Sequence, residues 1–282
     1  MKIARKGEPG QEIPVAEIDG KTYDLRPLAG DIGPEFFAAG GFALVRAAFA
    51  AGELAEIDTA GQRFGAPLVR PGVILCNGMN YEQHAIESGF PPPAKPIMFY
   101  KHTNTLAAPN DDAPMSRRAT KYDWEAELAF VVGKTSWELE SPEAALAHIA
   151  AVTVADDMSE RVWQLEDSGG QWSKGKSHPK STPVGPYLVP VEDVDLGNLQ
   201  IKSFVNDEPR QNSNTNDMIV DPATLLYHLS QYMQLDPGDL ILTGTPEGDA
   251  LSSSEFPFLE VGDVVRIEIP GIGEQKHTIV EY

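Results

Sequence analysis

Short apolar runs separated by turn residues dominate the chain after residue 66. They read VILCNGMNY, PIMFYKH, EAELAFVVG, AVTVADD, IKSFVND, DLILTG and VVRIEIPG. Runs of this length, bounded by Gly, Pro and Asn clusters, predict β-strands. Helical periodicity occurs only briefly here, at Pro142–Ala150 and Pro222–Met233. The pattern predicts a β-rich region, and the tail VGDVVRIEIPGIGEQKHTIVEY predicts a hairpin that closes a sheet.

The first 66 residues have a different texture. Short strand-like runs in EIPVAEIDGKTYDL precede an Ala-rich helical stretch from about Pro34 to Leu54. We therefore predict a small N-terminal α/β domain over residues 1–66 and a catalytic domain over residues 67–282. The expected fold class is α+β, predominantly β. Hydrophobic residues at 41% and charged residues at 23% are ordinary values for a globular protein.

The charge of the chain limits its partners. There are 42 acidic against 22 basic residues, a formal net charge of −20, which repels nucleic acid and anionic membranes. No window approaches the roughly 20 apolar residues needed to span a bilayer, and the N-terminus has no signal-peptide pattern. The single cysteine, Cys76, is interpreted as a core residue and fits a reducing compartment. We expect a cytoplasmic protein that acts on a small molecule.

One segment imitates a nucleotide-binding motif. GQWSKGKS, residues 170–177, matches G-x-x-x-x-G-K-[ST] letter for letter. A phosphate loop needs a buried strand before it and a helix after it. Here the preceding WQLEDSGG is polar, and the three prolines of HPKSTPVGP disfavour a following helix. We interpret the match as a coincidence. The nearby cations Arg161, Lys174, Lys176 and Lys180 nevertheless suit an anionic substrate.

Paired acidic residues predict a metal site. Glu125 and Glu127 are two apart in a strand-like run, so they are expected on one face of the strand. Two such carboxylates repel each other unless a cation or a shared proton compensates. A further acidic pair follows in TVADDMSERVWQ, at the end of another β-like run. Three hard oxygen ligands favour Mg²⁺ or Mn²⁺ over zinc. For an isolated E-x-E, a solvated acidic surface is the alternative.

Two further segments carry candidate polar groups. In CNGMNYEQHAIESG, His84 and Glu87 are three apart and would share one face of a helical turn. A histidine beside a carboxylate can activate water, although a structural or solvated histidine is the alternative. In DLILTGTPEGD, a strand leads into a tight loop that can present Thr243 and Thr245 to a ligand. A plain turn is the alternative for that loop.

Six motifs together resemble the fumarylacetoacetate hydrolase family, in that family's order and spacing. They are NGMNYEQHAIESG, YDWEAELAFVVGK, ADDMSERVWQ, GKSHPKSTPVGPYLV, SFVNDEPRQNSNTNDMI and LTGTPEGD, and they cover about Arg70 to the C-terminus. The resemblance implies mixed β-sheets rolled into a barrel-like β-sandwich, the fumarylacetoacetate hydrolase-type fold. It also implies a homodimer.

The resemblance also implies roles for individual residues. The divalent metal is expected on Glu125, Glu127 and Asp157, and the implied catalytic groups are His84, Glu87 and Lys176. Candidate substrate contacts are Arg161, Gln164 and Thr245. Two positions depart from the family pattern: Asp156 stands where Asn is commoner, and His178 follows the GKS motif. We expect Asp156 either to add charge near the metal or to point into the fold, and His178 to alter the pocket.

The implied reaction is hydrolysis of a carbon–carbon bond in a 2,4-dioxo acid of the acylpyruvate, fumarylpyruvate or dioxo sugar acid type. Its products are pyruvate, or a related 2-oxo acid, and a carboxylic acid. The same metal-enolate chemistry also serves decarboxylation of oxaloacetate and isomerisation or dehydration of related acids. The presence of both His84 and Glu87 favours hydrolysis. A non-catalytic protein that binds metal and oxo acids is a further alternative, which the complete set of catalytic residues disfavours.

Overall fold

The computed structural model describes residues 1–282 and has the α+β, mostly β architecture predicted from the sequence. Its strands are β1 (Lys2–Lys6), β2 (Ile13–Ile18), β3 (Lys21–Asp24), β4 (Ile74–Gly78), β5 (Ile97–Lys101), β6 (Leu106–Ala107), β7 (Ala113–Met115), β8 (Tyr122–Asp123), β9 (Ala126–Val132), β10 (Ile149–Asp156), β11 (Ser159–Glu160), β12 (Thr182–Pro183), β13 (Val189–Pro190), β14 (Gln200–Val205), β15 (Glu208–Asn214), β16 (Leu240–Leu242), β17 (Val264–Ile269) and β18 (Gly273–Glu281). Its α-helices are α1 (Pro34–Ala38), α2 (Gly41–Ala50), α3 (Glu82–Glu87), α4 (Pro142–Leu146), α5 (Ser173–Lys176) and α6 (Pro222–Ser230).

A six-stranded mixed sheet in the order β13-β10-β9-β16-β4-β5 forms the centre of the molecule. β9 is buried along its whole length, and its side chains alternate between two cores. Leu128 and Phe130 face the larger core, whereas Ala129 and Val131 face the other. Because Glu125 and Glu127 have the same parity as Ala129, the strand directs both carboxylates to the second face.

A five-stranded sheet in the order β15-β14-β17-β18-β7 covers one face of the central sheet. The larger core joins Phe130 and Val154 of the central sheet to Ile201 and Ile267 of the second sheet, which makes a β-sandwich. β17 and β18 pair from Val264↔Thr278 to Ile269↔Gly273, which confirms the predicted C-terminal hairpin. β15, with the polar sequence EPRQNSN, was not predicted.

The N-terminal elements cover the opposite face. β1, β2 and β3 form an antiparallel sheet, and Ile3 and Phe36 share the second core with Ile74 and Val131. The predicted helix over 34–54 is wrong in its extent, because Gly40 with φ +69° separates α1 from α2. The division at residues 66 and 67 stays a prediction. None of the helices has the length and apolar content needed to cross a bilayer.

Candidate active site

Two neighbouring strands bring three carboxylates together. Glu127 lies in β9, Glu125 directly precedes that strand, and Asp157 directly follows β10. The antiparallel register pairs Ala155 with Glu127, and the Asp157 N–H donates to the Glu125 carbonyl oxygen at 3.0 Å. All three side chains are buried, and their oxygen atoms lie within 4.8 Å of one another. The E-x-E spacing and the later aspartate therefore meet as predicted.

Burial and mutual repulsion set the charge of this cluster. Burial, followed by the charges of Asp157 and Glu125, raises the pKa of Glu127 well above its usual range. Burial also acts to raise the pKa of Glu125, but Lys176 and Arg161 outweigh it and lower that pKa to about 2. One carboxylate is thus firmly ionised while its neighbour resists ionisation. Ionisation of all three carboxylates therefore needs more positive charge than the neighbouring side chains supply.

Two buried lysines partly compensate that charge. Lys176 Nζ donates to Glu125 Oε2 at 2.6 Å and to Asp157 Oδ2 at 3.0 Å. Lys101 Nζ donates to Asp157 Oδ1 at 2.6 Å and to the Ser181 carbonyl oxygen at 2.8 Å. Burial lowers the pKa of Lys176, but Asp157 and Glu125 raise it by more, so the ammonium group stays charged. The sequence analysis did not identify Lys101. Its only signal in the sequence is its position at the end of the apolar run PIMFYK.

The carboxylate cluster fits a hard divalent cation. Glu127 has one protein donor, the Gly244 N–H at 2.6 Å, which leaves lone pairs for a metal. The raised pKa of Glu127 reflects buried negative charge that a cation would neutralise. Carboxylate oxygens are the ligands that Mg²⁺ and Mn²⁺ prefer. Glu125, Glu127 and Asp157 are therefore suited to hold such an ion.

The segment that imitates a phosphate loop has a packing role. α5 is only four residues long and packs on the π-helical turn Val162–Glu166. A Cβ atom at Gly175 would collide with the backbone nitrogen of Gln164, so glycine allows this close approach. The approach places Lys176 at the carboxylates. The GK dipeptide thus serves the carboxylate cluster.

Arg161 is surrounded by protein acceptors. Its Nε and Nη2 contact Asp123 Oδ2 at 2.8 and 2.7 Å, and Nη2 also contacts Asp249 Oδ2 at 2.7 Å. Its Nη1 contacts Glu125 Oε1 at 2.7 Å and Gln164 Oε1 at 2.9 Å. Three of these contacts are hydrogen bonds and the other two are ion-pair contacts, so the guanidinium is surrounded by three carboxylates and one amide. Arg161 lines the cavity, yet its donors organise the site.

The other two predicted substrate contacts differ from each other. Gln164 lines the cavity and accepts from Arg161, and its amide nitrogen has no protein acceptor. Thr245 also lines the cavity, but its hydroxyl donates to the Ala126 carbonyl oxygen at 3.0 Å and accepts from Gln211 at 2.7 Å. Thr243 donates to the Leu128 carbonyl oxygen. Gln211, which the sequence did not reveal, fixes both β9 and the TGTPEG loop.

His84 lies on α3, at the wall of the cavity, as a helical turn in EQHAIES predicts. It is grouped with Glu87 and with Asp249, a residue missed from the sequence, within 4.8 Å. His84 Nδ1 is 3.7 Å from Asp249 Oδ1 and has no closer partner. Glu87 accepts from the Gly248 N–H at 2.8 Å and so anchors α3 to the loop that carries Asp249. Burial is the main cause of a lowered pKa for His84.

The two departures from the family pattern lie outside the cavity lining. Asp156 points into the fold, where its Oδ2 pairs with His277 Nε2 at 3.0 Å. His178 Nε2 pairs with the Tyr122 hydroxyl at 2.8 Å, outside the cavity lining.

The four cations predicted to suit an anionic substrate do not all line the cavity. Lys174 donates to the carbonyl oxygen of Asp167 and Lys180 pairs with Asp111, so only Arg161 and Lys176 line the cavity.

The cavity at this site has a volume of about 510 Å³. This volume is within the size range of small-molecule pockets. The buried part of the cavity is lined by His84, Glu125, Arg161 and Lys176. Cys76 is buried beside it, and burial raises the pKa of its thiol. The arrangement joins a neutral histidine, a lysine and a candidate cation site in one cavity.

This chain is similar to known proteins in both sequence and structure. The family model described as fumarylacetoacetate (FAA) hydrolase C-terminal matches residues 73–280. The 2,4-didehydro-3-deoxy-L-rhamnonate hydrolase of Sphingomonas sp. (strain SKA58) is 38% identical over 287 residues, covering 100% of this chain and 97% of that protein.

Two solved structures share the whole architecture. The fumarylacetoacetate hydrolase from psychrophilic Exiguobacterium antarcticum is 29% identical with a TM-score of 0.85, covering 100% of both chains. The 5-carboxymethyl-2-hydroxymuconate delta-isomerase from Mycobacterium smegmatis is 29% identical with a TM-score of 0.78, covering 100% of this chain and 99% of that one. The similar proteins thus include a hydrolase and an isomerase on one fold.

Proposed function

The chain belongs to the fumarylacetoacetate hydrolase family, and on that premise we propose that this enzyme is a divalent-metal-dependent hydrolase of 2,4-dioxo acids. The reaction adds water to the C4 carbonyl and breaks the C3–C4 bond. It yields a carboxylic acid from the C4 side, and pyruvate or a related 2-oxo acid from the C3 side.

The observation that carries the proposal is the placement of His84 and Lys176 in the lining of one cavity. Hydrolysis needs a base for water and a cation for the enolate that leaves. The burial that lowers the pKa of His84 keeps its imidazole neutral near pH 7, the form in which it can accept a proton. Lys176 stays protonated under the same conditions.

His84 takes the first proton. Its Nδ1 is directed at Asp249, so Nε2 is the nitrogen that accepts the proton of the attacking water. The imidazolium that forms lies near Asp249 and Glu87, whose carboxylates stabilise its charge. The proton then passes to C3 of the leaving enolate, which completes the 2-oxo acid and restores His84.

Lys176 holds the charged end of the substrate. Two of its three N–H groups serve Glu125 and Asp157, which leaves one to donate to the substrate's carboxylate or its developing enolate oxygen. A divalent cation on Glu125, Glu127 and Asp157 would supply Lewis-acid polarisation of the 2-oxo group. Mg²⁺ or Mn²⁺ is the ion we propose.

An assay with acetylpyruvate tests the proposal. Protein stripped with a chelator is mixed with acetylpyruvate, with and without Mg²⁺, and both the loss of diketone absorbance and the release of pyruvate are followed. We expect Mg²⁺-dependent loss with one pyruvate formed for each acetylpyruvate consumed. Absence of cleavage across a series of acylpyruvates, with the metal bound, would contradict a hydrolase.

Two variants connect the assay to the site. Glu127→Ala should abolish metal-dependent cleavage, because it removes a carboxylate of the cluster. His84→Ala should spare metal affinity and remove hydrolysis, because the histidine is not part of that cluster. Decarboxylation of oxaloacetate requires no attacking water, so its survival in His84→Ala would support the role of His84 as the base for water.

A further inference from the structure

We propose that the substrate's distal group, the part beyond the C4 carbonyl, is uncharged and mostly apolar. The inference rests on the proposed function, because it places the charged end of a 2,4-dioxo acid at Lys176 and the carboxylate cluster. It goes further by choosing among the distal groups that the chemistry of the reacting centre would accept.

The cations that line the cavity are committed to other partners. Arg161 is ion-paired with the buried carboxylates of Asp123, Glu125 and Asp249. Lys176 is 1% exposed at the carboxylate cluster, where its remaining N–H serves the reacting end of the substrate. No other lysine or arginine lines the cavity. A second carboxylate on the substrate therefore has no cation to pair with.

Apolar side chains form much of the cavity wall and its rim. Its remaining wall includes seven apolar side chains: Met79, Phe90, Ile97, Phe99, Leu165, Trp172 and Leu251. Phe90 and Leu165 are 62% and 46% exposed, which identifies the rim, whereas Phe99 is buried. The rings of Phe99 and Trp172 pack at 5.5 Å between centroids and form a continuous aromatic wall. A distal alkyl chain would bury its surface against these groups.

Charge in the wall also disfavours a distal carboxylate. The lining contains the carboxylates of Glu125 and Asp249, and Glu87 lies beside Asp249. A carboxylate bound against the buried apolar wall would lose hydration without gaining a charged partner. Like charges nearby would add repulsion. Desolvation and repulsion thus act in the same direction, against a dianionic substrate.

A short hydroxylated chain remains compatible with this wall. The amide nitrogen of Gln164 has no protein acceptor, and the hydroxyls of Ser88 and Ser252 bond to each other at 2.9 Å in the lining. These are neutral groups that can exchange one hydrogen bond with a substrate hydroxyl. The class of substrate is therefore a monoanionic 2,4-dioxo acid with an alkyl or lightly hydroxylated distal group.

A matched pair of uncleaved 2-oxo acids tests the distal preference by binding alone. 2-Oxoadipate and 6-methyl-2-oxoheptanoate share the 2-oxo acid end and differ in that an isopropyl group replaces the distal carboxylate. Each is titrated into the Mg²⁺-loaded protein by calorimetry. We expect 2-oxoadipate to bind at least about tenfold more weakly, a difference of about 1.4 kcal/mol. Equal or tighter binding of 2-oxoadipate would overturn the inference.

A charge-introducing variant locates the effect at the rim. Leu165→Arg should improve 2-oxoadipate binding relative to the neutral acid by about two- to fivefold, the range for a partly exposed ion pair. Leu146→Arg is the matched control, because Leu146 is 42% exposed and lies on α4, outside the cavity lining. An equal change in both variants would show that net charge, not the rim, sets the preference, and would contradict the inference.

The two proposals fail in different ways. Preferential binding of the neutral acid, without cleavage of any acylpyruvate, would reject the hydrolase and retain the distal preference for another reaction at the same site. Cleavage of acetylpyruvate, combined with tighter binding of 2-oxoadipate, would retain the hydrolase and reject the distal preference.

Discussion

The Nζ of Lys176 lies 2.6 Å from Glu125 Oε2, and both groups are buried. This ion pair joins the short helix α5 to the start of β9, across 51 positions of the sequence. The lysine has two functions there. It neutralises part of the carboxylate cluster, and it lines the cavity.

Removing this lysine should lower the stability of the metal-free protein. In Lys176→Met, Glu125 and Asp157 lose a buried cation, and breaking a buried pair typically costs about 3–5 kcal/mol. We expect chelator-treated Lys176→Met to unfold at lower urea concentration than the wild type. Added Mg²⁺ should recover part of that loss, because a bound cation replaces the missing positive charge. An unchanged midpoint without metal would contradict the account of the cluster.

Glu127→Gln should have the opposite effect on the metal-free protein. Because burial, Asp157 and Glu125 raise the pKa of Glu127 above 4.5, its contribution to stability is fully present below pH 4.5 and is lost as pH rises through the folded-state pKa. A neutral glutamine avoids that loss. Chelator-treated Glu127→Gln should therefore gain stability relative to the wild type as pH increases above 4.5, while its stabilisation by Mg²⁺ decreases.

Glu125→Gln is the matched control for Glu127→Gln. It changes the neighbouring carboxylate by the same chemistry, but Glu125 has a pKa lowered to about 2 by Lys176 and Arg161, which outweigh burial. Its contribution is present above its ordinary pKa of 4.5 and is lost as pH falls towards 2. Glu125→Gln should therefore destabilise the metal-free protein at neutral pH. The same sign of change in both variants would contradict the assignment of charge within the cluster.

The sequence predicted most strands for a physical reason. The long sheet strands are buried and apolar, as in β9, so they stand out from the turns between them. β15 escaped prediction because it is an edge strand of polar, partly exposed residues. The long helix predicted after Pro34 failed at Gly40, whose backbone conformation ends the helical path without changing the apolar pattern.

From the residues alone, the site was predicted only where spacing within one segment determines geometry; the family resemblance supplied Asp157 and Lys176. Two-residue spacing places Glu125 and Glu127 on one face, and the strand carries them there. Lys101 and Asp249 were not predicted as site residues, because their partners are distant along the chain. Asp157 is 56 positions from Lys101, and Arg161 is 88 positions from Asp249. Proximity in sequence was equally misleading for Lys180, which is near Lys176 in the chain but pairs with Asp111 at the surface.

The pH dependence of cleavage should report His84. Burial is the largest cause of its lowered pKa, so the neutral base predominates above pH 6.5. We expect kcat/KM for acetylpyruvate to rise with pH through a limb below 6.5 and then to level off. His84→Ala should remove about 10²- to 10⁴-fold of the rate, the usual contribution of a general base. A limb above pH 6.5 that persists in His84→Ala would assign the base to another group.

Asp249→Asn should reveal the partner of His84. The carboxylate is buried between His84 and Arg161, and its loss removes negative charge near the imidazole. We expect kcat to fall at least about tenfold and the acid limb to move to lower pH. Asp239→Asn is the control, since Asp239 is another buried aspartate that bonds the Val73 and Asp236 backbone N–H groups outside the cavity. It should lose stability without moving the limb.

A single methyl group at Gly175 should disturb both packing and chemistry. The Cβ atom of Gly175→Ala would overlap the backbone of Gln164 and Glu160, which cannot move as a flexible side chain would. Overpacking of this kind typically costs about 1–3 kcal/mol. Because α5 must shift, we also expect Lys176 to move away from Glu125, which destabilises the metal-free protein further and lowers kcat.

Gly197→Ala is the control, since the nearest neighbour of its Cβ atom, Asp195 Oδ1, would be 3.6 Å away. Denaturant unfolding of both variants, with and without Mg²⁺, separates the packing loss from the loss of the ion pair. If Gly175→Ala unfolds and turns over like Gly197→Ala, the close approach of α5 to the turn at Val162–Glu166 does not position Lys176.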